Sequence, residues 1–276
     1  MTGVHFEPKP GSGNGQAMVQ YRSLIRSRTS ARCRVSGEIN VPVGAMNIIL
    51  IAGPAFLLLV LVEYLYGRWR GNDTYQLNDT LNSISLGAIS RLTGLTIRIG
   101  AHAWVLKHVA LFEMPANSLW TWISALVFYD FTYYWSHRFG HTMNLFWAHH
   151  VVHHQSERYN LPTALRQGSF GFFGFIFGLP LAMCGYPVEV VAIVGVIDLY
   201  YQYWIHTEHI GKLGWFDRVF ASPSNHRVHH AVNDAYVDKN YGGKRWLISA
   251  ALFAAMLGSS ILAFFGARAR MRWRVA

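Results

Sequence analysis

The sequence predicts an all-α integral membrane protein of about four to six membrane helices. Three observations predict it. Hydrophobic residues make up 52% of the chain and charged ones only 14%, a balance shifted well away from that of soluble domains. Several apolar runs are long enough to cross a bilayer. Tryptophans and tyrosines crowd the ends of those runs, at Trp120, Trp122, Tyr133, Tyr134, Trp135 and Tyr200 to Trp204, as interfacial belts do.

The elements follow in order. Residues 1–45 are rich in Gly, Ser and Arg without apolar periodicity, so they read as a disordered or extraneous extension. Residues 46–243 form the membrane domain. Its first span is 46–66, with Glu63 near the end. Residues 79–112 are apolar but interrupted by Arg91, Arg98, His102 and Lys107, which predicts one long tilted helix or two shorter ones. Residues 118–136 make a clearer span that runs directly into the motif HRFGH. The runs 170–184 and 187–205 form a helical hairpin about Gly185-Tyr186-Pro187, a turn with no charge in it. Two crossings return the chain to the side it left. Loops on that side carry Arg138, Arg158, Arg166, Lys212, Arg218, Arg227 and Lys239, while the opposite loops carry no Lys or Arg, so a multi-pass protein would hold this side in the cytoplasm. Residues 244–276 do not fit. Their apolar run 247–265 is followed by RARMRWR, against the positive-inside rule, and this points to a shifted reading frame or a degraded gene after about residue 243.

Charge and cysteines exclude several functions. The net charge is +10, but residues 1–45 hold six basic and two acidic side chains and residues 244–276 six basic and none acidic. The body is balanced, with 12 of each sign, so there is no basic face for nucleic acid. The only cysteines, Cys33 and Cys184, sit far apart, and any metal must use nitrogen and oxygen ligands.

Such ligands are abundant. His137 and His141 lie in HRFGH, His150, His153 and His154 in HVVHH, and His226, His229 and His230 in HRVHH. Residues three and four apart on a helix share a face, so each cluster can aim its imidazoles at a common point. Eight imidazoles are too many for one ion and suit two, which predicts a cytoplasmic di-metal site. His206, in WIHTEHIG at the end of the hairpin, is a ninth candidate ligand. Imidazole suits iron, zinc and copper alike. A zinc-dependent membrane hydrolase is the alternative reading, although no HExxH motif supplies its base; an inactive metal-binding remnant is another.

These three motifs, H-x3-H and two copies of H-x2-H-H, resemble those of the fatty acid hydroxylase and sterol desaturase superfamily. YQYWIHTEHIG (201–211) and SPSNHRVHHAVNDAYVDKNYGG (222–243) further resemble its alkylglycerol monooxygenase branch. The resemblance implies two iron ions cycling between ferrous and ferric states, O2 as co-substrate, and hydroxylation or desaturation of a C–H bond in a membrane lipid. It also implies electrons from a separate reductase, ferredoxin, cytochrome or pterin, since no dinucleotide or haem motif is present. Metal-bound imidazoles usually donate their other N–H to a carboxylate or carbonyl. Asp130, Glu157, Glu208, Asp234, Asp238 and Asn240 are the candidates for that supporting role.

Overall fold

The computed structural model describes residues 43–168, 172–237 and 241. Residues 1–42 of the expected extension 1–45, the segment 244–276 with its apolar run, and Asp238 and Asn240 lie outside the described residues, while residues 43–45 are helical. Helices are the regular elements found among the described residues: α1 (Val43–Arg70), α2 (Leu77–His108), α3 (Leu119–Thr142), α4 (Asn144–His154), α5 (Leu161–Leu165), a 3-10 helix (Phe172–Gly178), α6 (Leu179–Met183), α7 (Val188–Trp204), α8 (Phe216–Val219) and α9 (Pro223–His229).

Among the described residues, no helix is long and apolar enough to cross a membrane. This overturns the integral membrane fold, the membrane as a partner, and the multi-pass placement with histidines on the cytoplasmic face. The cause lies in what the apolar runs contain. Helix α1 carries Pro54, Glu63, Arg68 and Arg70, and α2 carries Asp79, Arg91, Arg98 and Lys107. Many of the hydrophobic letters of α3 are Trp and Tyr, interleaved with Ser, Thr and Asp130. Helix α7 has only 17 residues and includes Glu189 and Asp198. The expected first arm of the hairpin is not one helix, because the stretch breaks into the 3-10 helix and the five-residue α6. Among the described residues, then, no crossing helix gives the loop charges a sidedness.

The turn after that arm does form at Gly185. Its φ of 85° is open to glycine, and it lets Met114 N–H donate to the Gly185 carbonyl at 3.1 Å. Beyond it α7 packs back on α3 and α6, and Ala125, Phe128, Leu181, Val190 and Val194 close one apolar core. Phe56, Leu161, Ala164 and Tyr203 close a second between α1, α5 and α7. A fully buried side chain of this size stabilises by about 1.5–3 kcal/mol.

Two buried carboxylates tie the remaining pieces together. Glu63, read above as the end of a span, accepts hydrogen bonds from Tyr75 Oη (2.5 Å), Leu161 N (2.8 Å) and Thr207 Oγ1. It therefore joins α1 to the start of α5 and to the loop after α7. Asp79 accepts from Ser156 Oγ (2.7 Å) and Glu157 N (3.2 Å) and pairs with Arg166 at 2.8 Å, which pins α2 to the loops on either side of α5. A buried carboxylate is costly unless its oxygens find partners: Asp79 has an ion pair and hydrogen bonds, and Glu63 has hydrogen bonds.

Candidate metal centre

Each histidine-bearing element starts where its sequence allows. Helix α3 ends at Thr142, Met143 adopts an extended conformation (φ −125°, ψ 121°), and α4 begins at once, so HRFGH and HVVHH lie on consecutive helices. Gly140 permits their approach: a β-carbon there would lie 3.1 Å from His150 Cγ. The Ser222 side chain caps α9 by accepting from Asn225 N at 3.3 Å, and Pro223 occupies its first turn. Arg227, inside HRVHH, donates from Nη1 to the carbonyls of Thr207 and Ile210, each at 2.8 Å. That contact holds α9 against the loop carrying His206.

The nine histidines gather in two groups. His137, His141, His150, His154 and His229 form one, and His153, His206, His226 and His230 the other. Within each group one ring nitrogen per residue lies within 4.8 Å of all the others. Nitrogens binding a common ion at about 2.1 Å sit about 3 Å apart when adjacent. The closest pairs have this spacing: His141 to His229 at 3.1 Å, His150 to His154 at 3.2 Å, His153 to His206 at 3.2 Å and His206 to His226 at 2.9 Å.

The hydrogen bonds leave ring lone pairs facing into the group. His153 Nδ1 donates to the Arg166 carbonyl (3.0 Å) and His206 Nδ1 to the Gln202 carbonyl (2.6 Å). In a neutral imidazole the other nitrogen then bears a lone pair, so two Nε2 lone pairs face each other. No proton lies between them. Nε2 of His230 is buried in the same group with no hydrogen-bond partner. A cation would satisfy all three nitrogens, and the residues present fit one.

Protonation points the same way. Burial first, and then the neighbouring imidazoles, push His137 down to about 3; burial brings His153 down to about 4. His150, His206, His226 and His230 are held well below the usual histidine range, by burial above all. All of these rings are neutral at pH 7, as ligation requires. The arrangement is compatible with a buried two-metal site.

Asp130 is buried on α3, while Glu157, Glu208 and Asp234 are exposed. The partners seen at His137, His153 and His206 are backbone carbonyls, of Tyr241 (3.0 Å), Arg166 and Gln202. Tyr159 went unremarked in the sequence. Its ring lies 5.1 Å from that of His230 and 5.7 Å from that of His206, and its hydroxyl donates to the Ile205 carbonyl at 2.8 Å. Its position five residues after the HVVHH motif, next to Asn160 and Pro162, was the available signal.

The comparisons with known proteins agree with this geometry. The fatty acid hydroxylase family profile matches residues 122–252, which include all nine histidines. The chain is 43% identical to human alkylglycerol monooxygenase over 198 residues, which is 70% of this chain and 44% of that protein. The zebrafish (Danio rerio) alkylglycerol monooxygenase gives 42% over 197 residues, with the same coverage of 70% and 44%. An ornithine lipid hydroxylase of Rhizobium tropici is 28% identical over 125 residues, 44% of this chain and 37% of that protein. The chain thus spans less than half the length of the curated relatives it matches. No solved structure matches it.

Proposed function

The chain belongs to the fatty acid hydroxylase and sterol desaturase family, and we propose that it is a di-iron oxygenase that hydroxylates a C–H bond of a lipid, with an alkylglycerol ether as the first substrate to test. Family and histidine groups together support a metal-dependent oxidoreductase in general. The observation that carries the finer reading is the pair of histidine groups, each with ligand nitrogens within 4.8 Å, in a chain 43% identical to an alkylglycerol monooxygenase. Two iron ions, when bound, supply the redox chemistry that O2 requires.

The chain's own residues do the rest. The neutral imidazoles of both groups would hold two ions without neutralising their charge. The carbonyls of Arg166, Gln202 and Tyr241 fix which nitrogen of His153, His206 and His137 faces inward. The Tyr159 ring packs against His206 and His230 on one side of the four-histidine group. The balance is R–H + O2 + two electrons + two protons giving R–OH and water, so a separate donor is needed.

The test is incubation of the iron-loaded full chain with hexadecyl glyceryl ether and isotopically labelled O2. Reduced ferredoxin, cytochrome and tetrahydropterin are supplied as donors in separate arms. One labelled oxygen atom in the product is the expected result. Turnover without label, or no turnover with any donor, would refute the reading.

A further inference from the structure

Within the four-histidine group, His206 is the member that none of the three histidine motifs supplies. It stands just past the end of α7. Its backbone N–H donates to the Tyr203 carbonyl at 3.1 Å and its Nδ1 to the Gln202 carbonyl, so the helix end sets the ring from one side. Beyond that turn the chain leaves the helix. A ligand placed there needs a second support from elsewhere in the fold.

Glu63 of α1 provides that support. Its side chain is buried, with the residue only 7% exposed, and its two carboxylate oxygens serve two different segments. Oε1 accepts from the hydroxyl of Thr207, the residue after His206. Thr207 is itself buried; its Oγ1 also accepts from His209 N at 3.2 Å, and its carbonyl receives Arg227 of α9. Oε2 accepts from Leu161 N at 2.8 Å, just beyond Tyr159 in the chain. The Tyr159 ring packs on His206, His226 and His230, and its hydroxyl donates to the carbonyl of Ile205, the residue before His206. One carboxylate thus braces the backbone beside His206 directly and, through Leu161, the segment whose ring lies against it. The packing of α1 on α5 and α7 brings it there. Glu63 also lies well before residue 122, where the match to the family profile begins.

We propose that Glu63 is a positioning residue for the metal centre: through Thr207 it fixes His206 as a ligand, so that its loss weakens the ion of the four-histidine group and spares the other. The inference rests on the two-metal reading above and adds to it a residue of α1. The three histidines near Tyr159 all belong to the four-histidine group, which is why the effect is one-sided. The donor count requires a carboxylate. A backbone N–H can only donate, so in a glutamine the amide oxygen stays with Leu161 and the NH2 faces Thr207, whose hydroxyl loses its acceptor.

The experiment is competition between a chelator and the iron-loaded full chain, with iron counted per chain. Glu63→Gln and Thr207→Val should each weaken one ion about tenfold and leave the second unchanged. Thr207→Ser keeps the hydroxyl and should retain iron as the wild type does. Glu63→Gln is then made in a His206→Asn background, where the ion that remains should be held equally with and without it. A merely structural role would loosen that ion too. Denaturant unfolding monitors whether the variants fold, and Thr207→Val, which removes one hydroxyl, carries the test if Glu63→Gln does not fold. Equal weakening of both ions, unchanged retention in Glu63→Gln and Thr207→Val, or a loss that persists in the His206→Asn background would overturn the positioning role. A wild type holding fewer than two ions would overturn the two-metal reading and this proposal with it. Two ions, one of them weakened in the variants, with no label from O2 in any lipid would refute the oxygenase reading and leave the positioning role standing.

Discussion

The two histidine groups sit side by side yet are built differently. In the four-histidine group three members are buried, two are fixed through Nδ1 to carbonyls, and His206 comes from outside the three motifs. In the five-histidine group His137 and His229 are buried, whereas His141, His150 and His154 keep partial exposure beside Trp147. One group is enclosed with no ligand to spare. The other is open and has one more imidazole than a tetrahedral ion uses. Under the proposed function, the enclosed group would hold its ion in place and the open one would leave room for oxygen and substrate.

The largest test of this contrast removes one ligand from each side. His206→Asn should empty the four-histidine group and bring iron from about two to about one ion per chain. His141→Asn leaves four imidazoles and should retain both ions, with release to a chelator about tenfold faster. Equal losses would erase the distinction. A smaller effect is expected from Arg166→Ala, which breaks the buried pair with Asp79 beneath the enclosed group. Denaturant unfolding of the metal-free chain should show a loss of about 3–5 kcal/mol. A loss below about 1 kcal/mol would mean that the pair does not support His153.

Much of this difference could not be read from the letters. Spacings of three and four show which histidines share a helical face, and the chain turn at Gly185 was visible as a Gly-Tyr-Pro step. The grouping was not visible: His153 parts from its neighbour His154, and His229 from His230, because adjacent residues on a helix point about 100° apart. Nor could the sequence name the carbonyls that meet His137, His153 and His206, since a carbonyl belongs to every residue and only the fold aims it. The expectation of membrane helices failed for a related reason. Trp and Tyr count as hydrophobic by composition, yet here they share helices with Asp130, Asp198 and Glu63, whose carboxylates the fold keeps inside. A run that is apolar by letter can be the lining of a polar interior.

The central claim is two ions in one buried site, one to each histidine group. X-ray absorption at the iron edge, combined with metal quantification on the purified full chain, tests it most directly. The account predicts about two iron ions per chain, each surrounded by imidazole nitrogens at about 2.1 Å. A single ion per chain, or zinc in place of iron, would contradict it.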